Sequence, residues 1–295
     1  MVKKKAADWT LHSNREVFNP AIHDPLPGHG QNILIASANQ KTRRLEIIKS
    51  RQRHFSDFGW LKTFWLFSFS NYFDPQNIQF GPLRVFNDDV VDPEVGFPTH
   101  PHNEMEIITV VLEGERTHED SMDKKSFIEV GDVQRMSAGT DLTHSEFNLS
   151  DTPVQFYQIW ILPNTPGLKP SYDQRNFQPS DWQNTLLLIA SGRGFNDVVN
   201  LHTDATIYRS ELEAGRSLSF DQASGRRLFL YLRTGEITVD GQRLQACNQA
   251  RIDSKHPLSL HALLKTDFIL IDLPSCKGWG YNKKTLHGDK KGARS

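Results

Sequence analysis

From Trp60 onward the chain is written in short runs of Val, Ile, Phe and Tyr, continuous or alternating with polar residues, and cut by Gly, Pro, Asn and Asp. Runs this short with a period of two are the signature of strands in antiparallel sheets, where successive side chains point to opposite faces. They predict strands over 64–69, 106–112, 156–162, 186–190, 228–232 and 268–273. None is long enough for a buried helix, and turn residues recur at the spacing of a sandwich or barrel. The beginning reads differently: Pro and Gly crowd residues 19–30, and the Lys/Arg-rich stretch from Gln40 to Arg53 predicts a short helix. The passage from Pro163 to Trp182 opens on three prolines and a glycine, has no periodicity, and reads as a linker.

A faint repeat crosses that linker. Val110-Val111-Leu112-Glu113-Gly114-Glu115 recurs as Tyr231-Leu232-Arg233-Thr234-Gly235-Glu236, an offset of 121, and the stretch Gly131 to Met136 finds a counterpart in Asn248 to Ile252 at about 116. Two β barrels of one design in tandem would write such a pattern. The expected organisation is an extension over 1–50, a first barrel over 51–165, a linker over 166–184, a second barrel over 185–276 and a basic tail over 277–295.

Charge narrows the range of functions. The chain of 295 residues has 34 Lys+Arg against 35 Asp+Glu, yet residues 1–53 carry +6, residues 277–295 carry +5, and the body between them carries −12. An acidic body repels phosphate, so no direct contact with nucleic acid is expected, and the basic ends read as solvated. The most apolar stretch, 64–73, is about half of the ~20 residues a membrane helix needs, so no membrane span is expected. The charged start Met1 to Asp8 is followed by no apolar segment, and two cysteines, Cys247 and Cys276, make no disulfide framework. A reducing cytoplasm is the expected location.

The densest chemical signal is Phe97-Pro98-Thr99-His100-Pro101-His102, with His144-Ser145-Glu146 following 42 residues after His102. On strands, His100 and His102 project to one face, as do His144 and Glu146. Two such strands lining one barrel bring three imidazoles and a carboxylate to a point, a donor set suited to one divalent first-row transition metal. His118 lies in the charged run from Glu115 to Asp120 and is expected to face solvent. His54, His202, His256 and His261 stand singly and are read as structural.

At these residues the chain resembles the cupin superfamily, through Gly96, His100, His102, Glu106, Gly114, His144 and Asn148. It resembles the pirin family over a longer stretch, from Trp60-Leu61-Lys62 through Phe80-Gly81-Pro82-Leu83-Arg84-Val85, His100-Pro101-His102, Gly131 to Thr140 and His144-Ser145-Glu146 to Gln158-Ile159-Trp160-Ile161. The resemblance implies an all-β fold of two tandem cupin barrels, with the metal in the N-terminal one. The general cupin pattern would assign Glu106 as the carboxylate ligand, whereas the pirin pattern assigns Glu146. The longer pirin match favours His100, His102, His144 and Glu146, and leaves Glu106 behind the ligands or in the core. The chain departs from the pirin pattern at Asn103, where Arg is usual, and at Trp65-Leu66, where His-Thr is common. The offset of 121 sets Asp221 and Ala223 opposite His100 and His102, so one metal per chain is expected.

Some pirins resemble quercetin 2,3-dioxygenases, which open the central ring of flavonols with O₂ and release carbon monoxide. That resemblance implies a flavonol-like aromatic substrate, O₂, Fe(II) or another divalent metal such as Ni, Co, Mn, Cu or Zn, and Glu146 as the group that takes the substrate's proton. The 18 Phe are expected to make the barrel interior a slot for a planar ring. Other pirins resemble iron-binding redox sensors that act through a protein partner, and a metal-dependent isomerase or storage cupin is a third reading.

Overall fold

The computed structural model describes residues 45–122, 125–140, 142–253 and 257–275. The basic tail, Cys276, His256 and the extension before Leu45 lie outside the described residues. In chain order the strands are β1 (Leu45–Ile48), β2 (His54–Asp57), β3 (Leu61–Trp65), β4 (Leu83–Val91), β5 (Val95–His102) and β6 (Glu106–Glu113). There follow β7 (Glu115–Asp120), β8 (Lys125–Glu129), β9 (Asp132–Ser137), β10 (Leu142–Asn148), β11 (Val154–Ile161) and β12 (Ser171–Asn176). The second half holds β13 (Leu187–Ser191), β14 (Val199–Asn200), β15 (Thr206–Leu212), β16 (Ser217–Phe220) and β17 (Arg226–Thr234). It closes with β18 (Glu236–Val239), β19 (Gln242–Gln245), β20 (Gln249–Ile252), β21 (Leu258–Ala262) and β22 (Thr266–Pro274).

These strands make two barrels of one plan. The first pairs a seven-stranded sheet, β12-β9-β6-β11-β4-β3-β2, with a four-stranded sheet, β5-β10-β7-β8. The second repeats this as β1-β20-β17-β22-β15-β13-β14 and β16-β21-β18-β19. The fold is the expected pair of tandem cupin barrels, and no helix among the described residues is long and apolar enough to cross a membrane.

The repeat in the sequence marks the corner where each chain leaves the large sheet for the small one. Gly114, between β6 and β7, has φ +75°, and Gly235, between β17 and β18, has φ +80°. A Cβ there would lie 2.7 Å from the Pro153 carbonyl oxygen and 2.0 Å from that of Lys265, so conformation and space both select glycine.

The large sheets pack face to face, so their central strands are apolar on both sides. On β6, Ile107 and Val111 fill the first barrel, while Ile108, Val110 and Leu112 meet the second barrel. On β17 the arrangement is mirrored: Leu228, Leu230 and Leu232 fill the second barrel, while Phe229 and Tyr231 meet the first. Phe67, Phe80 and Phe86 gather around Phe229 in this interface. The expectation that phenylalanines would line the metal barrel is corrected here for these four. Burying each is worth roughly 1.5–3 kcal/mol, and that burial joins the barrels.

Three further expectations change. The stretch read as a short helix contains strand β1 and one 3₁₀ turn over Ser50–Gln52, and β1 pairs with β20 as the edge of the second barrel's sheet. The passage read as a linker contains β12, which pairs with β9 and closes the first sheet. The strand expected over 64–69 runs instead from Leu61 to Trp65.

Candidate metal centre

Strand β5 is the edge of the small sheet, which is why it tolerates Pro98 and Pro101, residues with no N–H to give a ladder. Its register against β10 shifts between two pairings, His144 with His100 and Glu146 with Phe97. This bulge lets Gly96 approach β10 so closely that a Cβ would lie 2.1 Å from the Glu146 carbonyl oxygen. It also sets His100 directly beside His144.

The structure brings His100, His102 and His144 into a triangle, with ring centroids 4.8, 4.4 and 4.8 Å apart. All three are buried, and their donor atoms form one group with metal-holding spacing. The Nε2 atoms of His100 and His144 are 3.0 Å apart. The edge of the triangle is aromatic: Trp160 meets His102 edge-on at 4.9 Å, and Phe97 lies 6.4 Å from His100.

Hydrogen bonds assign which ring nitrogen carries the proton. The Nδ1–H of His100 donates to the Pro98 carbonyl at 2.7 Å, which leaves its Nε2 a lone pair. His144 Nδ1 faces His118 Nδ1 at 3.4 Å, and His118 Nε2 faces Asp120 at 3.3 Å. Protons running from His144 to His118 and from His118 to Asp120 leave His144 Nε2 a lone pair as well. Burial pushes His100 down, pushes His144 well down, and with His100 nearby pushes His102 down to about 3, so all three rings are neutral at pH 7. Two lone pairs then face each other at 3.0 Å, which is repulsive without a cation between them. It is also about the spacing of adjacent nitrogens bound at ~2.1 Å to one metal at right angles. The donor set fits a divalent transition metal.

Glu146 is not in that group. It is grouped instead with His118 and His144, on the other side of the His144 ring. Its Oε2 is paired with the Arg116 guanidinium and accepts from Gln158 Nε2 at 3.4 Å, while Oε1 lies 3.8 Å from His144 Nδ1 and has no hydrogen-bond partner. Burial alone would raise the Glu146 carboxyl. The Arg116 charge, with His144 and His118 close by, overcomes this and holds it well below the usual carboxylate range.

Two residues here escaped the sequence reading. His118, expected in solvent, is fully buried, as is Arg116, because β7 turns Arg116, His118 and Asp120 inward and leaves Glu115 and Glu119 outside. The period-two signal was present, but acidic residues on the outer face disguised it as a solvated run. Glu106, which the pirin pattern leaves behind the ligands or in the core, is in the core. It is buried but faces the second barrel, where Oε2 accepts from the His202 backbone N–H at 2.7 Å and Oε1 lies 2.7 Å from Ser137 Oγ and 2.9 Å from His202 Nδ1. The turn between β5 and β6, with Glu104 at φ +51°, separates the strand of Glu106 from that of His102. Elsewhere, His54 stacks on Trp65 and Tyr72, and His261 contacts Ser217.

Among the described residues, both groups with metal-holding spacing lie in the first barrel. The second is filled by leucines, with Leu258 and Leu260 on β21, the counterpart of β10.

Comparison with known proteins agrees with this architecture. Residues 48–161 match the family described as Pirin, and residues 188–273 match the Quercetinase C-terminal cupin domain. The chain is 37% identical to the quercetin 2,3-dioxygenase of Escherichia coli K12, over 77% of this chain and 97% of that protein. It is 38% identical to a pirin-like protein of Caulobacter vibrioides, over 74% of this chain and 94% of that one. The crystal structure of the bacterial pirin YhhW from Escherichia coli in complex with nickel(II) superposes with a TM-score of 0.74, at 36% identity, covering 78% of this chain and 99% of that one.

Proposed function

The chain belongs to the pirin family, and from that premise we propose that it is a metal-dependent dioxygenase resembling quercetin 2,3-dioxygenase, acting on a flavonol-like substrate with O₂ and releasing carbon monoxide. The observation that carries this reading is the triangle of neutral, buried imidazoles, with two Nε2 lone pairs facing at 3.0 Å. The nickel complex of the similar Escherichia coli protein and the quercetin 2,3-dioxygenase name of its relative support it.

In this reading His100, His102 and His144 hold one divalent metal, Fe(II) first among Fe, Ni, Co, Mn, Cu and Zn. The metal supplies Lewis acidity toward a hydroxyl–ketone pair and a redox route to O₂. The protein's part is orientation and proton handling. Pro98 O fixes the His100 ring, and the series Asp120, His118, His144 fixes the His144 ring, so both present Nε2 without rearrangement. Trp160 and Phe97 flank the triangle as apolar walls for a planar ring. Glu146 is the group this reading assigns to take the substrate's hydroxyl proton; in the structure its carboxylate is paired with Arg116 on the Nδ1 side of the His144 ring, and that pairing holds its proton affinity low.

The test is elemental analysis after anaerobic loading with Fe(II), followed in the same sample by quercetin and O₂. One metal per chain, O₂ uptake and loss of the flavonol absorption band are expected. One metal with no turnover overturns the dioxygenase, and no metal overturns the site.

A further inference from the structure

A line of aromatic rings in contact leads from the imidazole triangle to the surface. Trp160 meets His102 edge-on at 4.9 Å, Phe69 meets Trp160 edge-on at 5.3 Å, and Trp65 meets Phe69 edge-on at 5.4 Å. Beyond Trp65 the rings stack: His54 lies against it at 5.1 Å and 22°, and Tyr72 lies against His54 at 4.2 Å and 11°. Trp160, Phe69 and Trp65 are at most 2% exposed, whereas His54 and Tyr72 are only partly buried. A tight turn holds Tyr72 in place, closed by backbone hydrogen bonds of 3.0 and 2.9 Å between Phe69 and Tyr72. Packing alone does not ask for indoles in this line. The Nε1–H groups of Trp160 and Trp65 are buried with no acceptor, a cost that phenylalanine would avoid. What an indole has and a phenyl lacks is ease of one-electron oxidation, a property it shares with the phenol of Tyr72.

We propose that Trp160, Trp65 and Tyr72, bridged by Phe69 and His54, form an electron path that drains oxidising equivalents from the metal centre to the surface when no substrate is there to use them. This rests on the reading of the triangle as the site of a redox metal. Peroxide reaching a buried Fe(II) ion would otherwise oxidise the imidazoles around it, a competing reaction the site must exclude. In the drained step the O–O bond of hydrogen peroxide breaks and two waters form. Fe(II) gives one electron and becomes Fe(III), and the Tyr72 phenol gives the other and becomes a tyrosyl radical. Of the two protons taken up, one comes from the Tyr72 hydroxyl and one from solvent. The indoles pass the electron without giving up a proton, because neither Nε1–H has an acceptor. The proton leaves only at the partly exposed end, where an external reductant of the thiol or ascorbate class returns a hydrogen atom to Tyr72.

The test uses the full-length protein loaded with Fe(II) and checked for metal content. It is mixed anaerobically with an equal amount of hydrogen peroxide and no flavonol, then frozen for electron paramagnetic resonance, and a portion is digested and mapped by mass for oxygen adducts. The parent is expected to show a tyrosyl signal. Tyr72→Phe should lose that signal and collect oxygen adducts on Trp65 and Trp160. Trp65→Phe, which keeps a ring in the line but not an oxidisable one, should also lose the signal and collect adducts on Trp160. Tyr208→Phe, in the second barrel, should keep the signal. Tyr172 is the competing exit, 5.4 Å from His118, which is 5.2 Å from His144. A parent that holds metal and gives no tyrosyl signal overturns the proposal, as does a signal that survives Tyr72→Phe or disappears in Tyr172→Phe instead. If Trp65→Phe fails to fold, Tyr72→Phe decides, because it keeps the ring stacked on His54. A parent that takes up no metal overturns the metal reading and the path with it, whereas metal with the Tyr72 signal and no flavonol turnover overturns only the dioxygenase.

Discussion

His100 and His144 face each other through Nε2 atoms 3.0 Å apart, with both rings neutral and both N–H groups committed elsewhere. Removing either ring takes away one of two adjacent donors, so His100→Ala and His144→Ala are each expected to lower metal content to under about a tenth of the parent's. Metal-free, each variant should lie within about 1 kcal/mol of the metal-free parent, since the cavity left by the ring is offset by relief of the facing lone pairs. Elemental analysis and urea unfolding check the two statements separately. A His144→Ala protein that keeps its metal removes His144 from the site.

Glu106 joins the barrels rather than serving the metal. Its carboxylate accepts the His202 backbone N–H at 2.7 Å and contacts Ser137 Oγ at 2.7 Å, all at a buried position. Glu106→Ala leaves those groups without their acceptor, a loss of roughly 2–3 kcal/mol. The urea midpoint should fall accordingly while metal content stays at the parent's value. Loss of metal without loss of stability would return Glu106 to the ligand set.

Much of this was legible because local periodicity and burial agreed. Leu228 to Leu232 and Phe268 to Ile271 are apolar at consecutive positions because their sheet is covered on both faces, and such runs read as strands. The His-Pro-His segment was legible because His144-Ser145-Glu146 supplied a second pair of donors at the same period. Arg116 and His118 were hidden because their inner-face chemistry alternates with acids outside. Strands β1 and β12 were hidden because each completes a sheet through pairings distant in sequence, Leu45 with Ile252 and Ser171 with Ser137. Short edge strands carry little apolar signal of their own.

Asp89 gives the first barrel a pH dependence. It is buried on β4, accepts from Thr63, and burial pushes its carboxyl up to about 7 from an ordinary value of 3.8. Below the unfolded value both states are protonated and Asp89 costs nothing. As pH rises from about 4 to 7 the unfolded state ionises while the folded state keeps its proton, so stability falls and stays low above 7. Three pH units at ~1.4 kcal/mol each set a ceiling of about 4 kcal/mol. Asp89→Asn, which still accepts from Thr63, should unfold like the parent near pH 4 and be more stable at pH 8. Thermal unfolding across that range checks it, and equal differences at both ends would show that Asp89 is already ionised when folded.

The bulge in β5 is the feature on which the imidazole triangle depends, and Gly96 is where it can be tested without touching a ligand. A Cβ at Gly96 would lie 2.1 Å from Glu146 O and 2.5 Å from the Phe147 Cα, both backbone atoms that no side-chain rotation can move. Gly96→Ala must therefore shift β5 away from β10 at the register change that sets His100 beside His144. Overpacking of this kind costs about 1–3 kcal/mol. A displacement near 1 Å between donors fixed 3.0 Å apart should also weaken Co(II) binding by about tenfold or more. The control is Gly59→Ala, at φ +82° with nothing within 4 Å of its Cβ. It should lose only the ~1–2 kcal/mol of a left-handed residue and keep the parent's affinity for Co(II). If the two substitutions lower stability alike and neither changes the affinity, the triangle is held by the barrel as a whole and the bulge is incidental to it.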